Sequence, residues 1–209
     1  MYDYEKKLDD NLFNLIKDIS KPVILELGVQ EGVSTKKFIN ICENNEGKLY
    51  SVDVEDCSNV SNSMRWKFIK SRDDNFDFIK SLIPKKIDIL FIDTLHEANH
   101  VEKVFYNYYD LVKNDGYIFI DDISHLPYLD NKKKTNFYCE INNQETFKRV
   151  LEIYLSNYDN FSLNFSFESS GLGIIKKKSD NQLNLPTKIK SRNFSLKNIL
   201  RKIWHKIKN

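Results

Sequence analysis

Two apolar runs at the centre of the chain each end in carboxylates: Ile87-Asp88-Ile89-Leu90-Phe91-Ile92 stops at Asp93, and Tyr117-Ile118-Phe119-Ile120 stops at Asp121-Asp122. Short runs of Ile, Leu and Phe without helical periodicity read as strands buried on both faces of a parallel sheet. Residues 97–113 between them read as a helix, so the unit is strand, helix, strand. Both strands then point the same way, and all three acids emerge at the carboxyl edge of the sheet, where open α/β sheets bind ligands. Three acids on adjacent strand tips suit a hard divalent cation. His96, three residues beyond Asp93, can hang over the same crevice.

The same alternation extends in both directions. A leading amphipathic helix is expected over residues 3–18, where Leu8, Leu12, Phe13, Leu15 and Ile16 recur near helical spacing before Pro22. Strands are expected at 23–27, 49–53 and 66–69, with helices over 34–44 and 75–83. Asn114-Asp115-Gly116 reads as a helix stop and turn opening the fifth strand. Residues 123–142 read as polar and irregular, followed by a helix near 144–156. Strands 161–167 and 171–176, joined by Glu168-Ser169-Ser170, make an antiparallel hairpin. The expected fold is a doubly wound α/β sheet of seven strands, mostly parallel, with one reversed strand in the terminal hairpin.

With 209 residues the chain is expected to form one domain over 1–178, followed by a linker and a basic amphipathic helix over 179–209. No apolar stretch approaches the roughly 20 residues that span a bilayer. The first residues lack a basic start followed by an apolar block, which implies no secretory signal. Cys42, Cys57 and Cys139 are odd in number and lack a Cys-x-x-Cys pair, as expected of reduced thiols in a cytoplasmic protein. The net charge of +2 conceals a division: residues 176–209 hold 11 Lys or Arg and one acid, leaving 21 basic and 29 acidic residues in 1–175. An acidic body disfavours nucleic acid as a partner.

The first strand runs into Glu26-Leu27-Gly28-Val29-Gln30-Glu31-Gly32-Val33-Ser34, a spacing of E-x-G-x-x-x-G. Dinucleotide sites use G-x-G-x-x-G to bring backbone amides against a pyrophosphate. Here an acid before the first glycine disfavours a polyanion and favours a cationic ligand, which argues against a nicotinamide-linked oxidoreductase. The motif resembles the first motif of class I S-adenosylmethionine-dependent methyltransferases, whose cofactor carries an amine and a sulfonium. The resemblance implies cofactor contacts from Glu26, Gly28, Gly32 and Ser34. It also implies Asp53 at the ribose hydroxyls and Asp73 near the adenine.

Asp93-Thr94-Leu95-His96, then a helix, then Gly116 to Asp122, is similar to the metal-dependent small-molecule O-methyltransferases, including the macrocin O-methyltransferase-like group that acts on sugars of macrolide antibiotics. The likeness covers roughly residues 20–125 and the terminal hairpin. It implies magnesium held by Asp93, Asp121 and Asp122, with His96 as the base beside Asp93. The chemistry agrees, because a divalent cation stabilises an alkoxide and holds a vicinal diol in register. Asp122 capping the following loop, or His96 as a plain helix-start residue, are the structural readings of the same positions. His100 and His125 are second-tier candidates. After the fourth strand the chain lacks the Asn/Asp-Pro-Pro-aromatic signature of adenine N-methylating enzymes, so a sugar or other small polyhydroxyl acceptor is expected.

Phe194, Leu196, Ile199, Leu200, Ile203, Trp204 and Ile207 recur at steps of mostly three and four residues, with Lys197, Arg201, Lys202, Lys206 and Lys208 filling much of the other face. That pattern suits peripheral contact with an anionic membrane, at its inner face for a cytoplasmic protein. The other expectation is a catalytically silent adaptor that keeps the fold and docks through this tail to a membrane or a protein.

Overall fold

The structure, a computed structural model, describes residues 2–123, 137–190 and 195–208. Its described residues form one sheet of seven strands: β1 (Val23–Leu27), β2 (Lys48–Asp53), β3 (Trp66–Lys70), β4 (Ile87–Ile92), β5 (Val112–Asp121), β6 (Phe161–Ser166) and β7 (Leu172–Lys177). The order is β3-β2-β1-β4-β5-β7-β6, and β7 alone runs against its neighbours. The strand order reverses between β1 and β4, which opens a crevice at their carboxyl ends. The expected mostly parallel sheet with one reversed strand is present.

Alternation along the strands divides the core into two layers. Leu25, Leu27, Leu90, Ile92, Ile118 and Ile120 face α4 (Phe76–Leu82), α5 (Ala98–Tyr109) and α6 (Phe137–Ser156). Ile24, Leu49, Ile89, Phe91 and Phe119 face the leading helix and α3 (Val33–Asn44). The leading helix comprises α1 (Tyr2–Leu8), a π-helical turn (Asp9–Phe13) and α2 (Asn14–Ile16). Phe38 of α3 packs its ring 5.0 Å from Phe13 and 5.6 Å from Phe91, joining the two helices to the sheet. Each such fully buried side chain contributes roughly 1.5–3 kcal/mol.

Three elements depart from expectation. Asn114, Asp115 and Gly116 lie inside β5 rather than in a turn before it, because the strand bulges between the pairs Val112↔Ile87 and Tyr117↔Ile89. Asp115 takes φ 64 there, and a Cβ on Gly116 would meet the Asp88 carbonyl at 2.7 Å. α6 begins at Phe137, inside the stretch expected to be irregular.

The expected linker is also held against the body. Asn184 N–H donates to Asn157 Oδ1 (2.7 Å), Asn157 Nδ2 donates back to the Asn184 carbonyl (2.9 Å), and Tyr106 Oη donates to that same carbonyl (2.6 Å). Thr187 and Ile189 N–H groups reach Ser156 Oγ and Glu152 Oε1. Residues 183–189 therefore form a strap across α5 and α6. Beyond it lies α7 (Leu196–Lys208). No helix among the described residues is long and apolar enough to cross a membrane.

Candidate active site

The loop after β1 is shaped by close backbone contact. Gly28 N–H donates to the Val52 carbonyl (2.9 Å) and Asp93 N–H to the Leu27 carbonyl (2.8 Å), lacing the tips of β2, β1 and β4 together. Gly28 has φ 98, and a Cβ there would lie 1.8 Å from the Asp93 carbonyl oxygen. Only glycine fits that position. Gly32, at φ 74, starts α3, and its side-chain direction is blocked by Val60.

Glu26 points away from the crevice. On β1 it shares a face with Ile24, and it is fully buried beneath α3. Ser34 Oγ (2.6 Å), Thr35 Oγ1 (2.8 Å) and Ser51 Oγ (2.6 Å) all donate to it, and burial still pushes its carboxyl up to about 7. Glu26 ties the first turn of α3 to β2 from behind the loop, and Ser34, which donates to it, also lines the crevice. The carboxylate also sits at the positive end of the helix.

Asp53, at the tip of β2, accepts hydrogen bonds from Val29 N–H (2.8 Å) and Gln30 N–H (3.2 Å). It lines a cavity of about 330 Å³ with Gly28, Gln30, Asp73, Asp93 and His100. Asp73 is nearly buried, and His100 Nε2 lies 2.7 Å from its Oδ2. Although burial acts to raise the Asp73 carboxyl, the hydrogen bond from His100 helps hold it below its ordinary range. His100, a secondary candidate from the sequence, thus orients the acid at the far end of this cavity.

A second cavity of about 380 Å³ adjoins the first and shares Gly28, Gln30 and Asp93 with it. Tyr4, His96, Asp121 and Asp122 also line it. His96 Nε2 lies 3.5 Å from Asp93 Oδ1 and 3.4 Å from Asp122 Oδ2, so these two acids converge on one point. Asp121 does not join them. It follows Phe119 by two residues and shares its sheet face, toward the leading helix, where Lys7 Nζ pairs with its Oδ1. Lys7 also donates to Ser170 Oγ (2.8 Å) and contacts the Gly171 carbonyl (3.5 Å). Tyr4 Oη donates to Asp93 Oδ2 (2.7 Å).

Burial pushes the Asp93 carboxyl up to about 6 and that of Asp121 up to about 7, with neighbouring acids adding to both shifts. Burial and the nearby Asp93 and Asp121 push the Tyr4 phenol well above its ordinary range, so it remains a donor. Among the described residues no group of three His, Cys, Asp or Glu side chains forms a cation cage. Of the three acids that line this cavity, Asp93 and Asp122 converge near His96 in the manner that suits magnesium, which accepts one or two carboxylates and completes its shell with water and substrate oxygens. Asp121 is committed to an ammonium.

Tyr4 and Lys7 had no signal in the sequence, because contacts between a leading helix and strand tips 89 and 114 residues further along the chain leave no local spacing. His125 lies outside the described residues.

Residues 25–123 match a family model described as a methyltransferase domain. Among solved structures, the chain is similar to the MycE methyltransferase from the mycinamycin biosynthetic pathway in complex with Mg, SAH and mycinamycin VI. That match has a TM-score of 0.59 and 19% identity, covering 86% of this chain and 50% of that one. An SAH-bound methyltransferase from Podospora anserina gives a TM-score of 0.62 at 14% identity, covering 85% and 87% of the two chains. The chain spans about half the length of MycE. Among curated proteins none matches. The likeness to class I methyltransferases read from the sequence is borne out by the methyltransferase-domain match over residues 25–123, and the Rossmann-like fold is shared with the solved structures.

Proposed function

We propose that this chain transfers a methyl group from S-adenosylmethionine to a hydroxyl of a sugar or other small polyhydroxyl acceptor in the cytoplasm, with magnesium assistance. The observation that carries the reading is the pair of cavities meeting at Gly28 and Asp93. One is bounded by Asp53 and Asp73, suited to the hydroxyls and amine of a nucleoside. The other presents His96 between two acids, suited to a hydroxyl that must lose its proton.

The residues divide the work accordingly. Gly28 lets the backbone approach the methyl donor, while Asp53 accepts from the ribose hydroxyls. The acceptor oxygen attacks the methyl carbon as the carbon–sulfur bond breaks, its proton passes to His96, and S-adenosylhomocysteine leaves. His96 lies near enough to Asp93 and Asp122 for either acid to stabilise the imidazolium that forms. Tyr4 fixes the Asp93 carboxylate so that one oxygen faces the cavity. Asp93 and Asp122 would hold magnesium, whose contribution is stabilisation of the developing alkoxide. Alignment of oxygen, carbon and sulfur supplies much of the acceleration.

Calorimetric titration with S-adenosylhomocysteine tests the reading at its base. Micromolar binding is expected, and folded protein that fails to bind at millimolar ligand overturns it. A screen of sugar acceptors with labelled methyl donor, with and without magnesium, then tests the acceptor class.

A further inference from the structure

We infer that α7 docks the protein onto the surface of an anionic membrane. Leu196, Ile199, Leu200, Ile203, Trp204 and Ile207 are each at least 40% exposed. At 3.6 residues per turn they fall within an arc of about 140°. An apolar stripe of that width is what a helix normally buries. The opposite arc presents Lys197, Arg201 and Lys202, all exposed, and no Asp or Glu follows Asp180 in the sequence.

The charge selects among occupants. Phosphates of a nucleic acid would match the cationic arc but leave the apolar stripe in water. A second copy of the helix would cover the stripe but bring like-charged flanks together. A lipid surface with anionic headgroups satisfies both arcs at once, taking the stripe into the boundary of the acyl chains and the cations among the headgroups. The acidic body would be repelled by the same surface, which confines contact to the tail.

The strap gives this contact a direction. Its hydrogen bonds pass from Ser156 back to Glu152 along α6. α6 enters β6, which runs parallel to β5, so that path leads toward the carboxyl edge of the sheet. Lys188 accordingly shares a cleft with Glu97 and Asn99, just beyond the tip of β4. The chain leaves the body on the side where the crevice opens.

The test uses the full chain and vesicles of phosphatidylcholine with or without phosphatidylglycerol. Co-sedimentation at least roughly tenfold stronger on the anionic vesicles, weakened by salt, is expected. The emission of Trp204 should shift to the blue on binding, since the other tryptophan, Trp66, is already buried. Ile203→Glu should lower binding about tenfold or more while leaving the thermal melt of the body unchanged. Equal binding to neutral vesicles, no binding at low salt, or full binding by Ile203→Glu overturns the inference. So does a dimer in solution that Ile203→Glu dissociates, because the stripe would then belong to a second copy.

Discussion

Lys7 and Asp121 are withdrawn from water together, at 0% and 2% exposure, and each makes the other tolerable there. Lys7→Met should cost about 3–5 kcal/mol in urea denaturation, because it leaves the buried Asp121 carboxyl without its partner. Adding Asp121→Asn should recover a large part of that loss, and a double-mutant cycle gives the coupling directly. Additive losses would mean that the pair is not the reason for either residue. Glu26 provides a second check at this scale. Its carboxyl is raised to about 7 by burial, so between its unfolded value near 4.5 and about 7 the native state binds more protons than the unfolded state. Its contribution to stability is present at low pH and is lost as pH rises through that window, by up to about 3 kcal/mol. Glu26→Gln should therefore flatten the fall in stability between pH 5 and pH 8 relative to the parent. A difference of zero between the two pH profiles would show that Glu26 is charged in the native state. The acids themselves were legible in the sequence as strand-end residues, but their directions were not. Asp121 and Asp122 are adjacent, so an extended strand sends them to opposite faces, and only the break at Asp122, with φ 55, turns the second into the crevice.

Elements with a strong local signal appear where the sequence puts them, and the glycine loop is the most constrained. Gly28→Ala would drive a Cβ into the Asp93 backbone, which cannot move without pulling β4 out of register with β1. Binding of S-adenosylhomocysteine should weaken by at least roughly tenfold, with a loss of stability of several kcal/mol measured in parallel. Retained affinity would place the cofactor away from this loop. β1 and β4 were readable because runs rich in Ile and Leu, ended by Gly28 and Asp93, have few alternatives in a parallel sheet. β5 was harder. Asn114-Asp115-Gly116 has the composition of a turn, yet the tertiary pairing of Val112 with Ile87 draws it into the strand as a bulge. The start of α6 and the strap were hidden for a related reason. Polar residues such as Asn157 and Asn184 read as loop formers, and their reciprocal hydrogen bonds exist only once α6 and the strap lie side by side.

Across the whole molecule, the two cavities share a wall at Gly28 and Asp93 but draw their distinguishing acids from different parts of the sheet. Asp53 belongs to the β2 side and Asp122 to the β5 side. Substitutions at these two positions should then separate into different measurements. Asp53→Asn keeps an oxygen for the Val29 and Gln30 amides while removing the charge, and should weaken S-adenosylhomocysteine by roughly tenfold to a hundredfold. Asp122→Asn should leave that affinity within about twofold, because the residue lines only the second cavity. In a titration with magnesium or manganese the order should reverse, with Asp122→Asn losing the ion and Asp53→Asn retaining it. If Asp122→Asn weakened the nucleoside ligand as strongly as Asp53→Asn, the two cavities would be one site, and the assignment of the second to the acceptor would fail. Separate responses would instead mean that donor and acceptor meet at the shared wall of Gly28, Gln30 and Asp93, where β1 and β4 end between the two halves of the sheet.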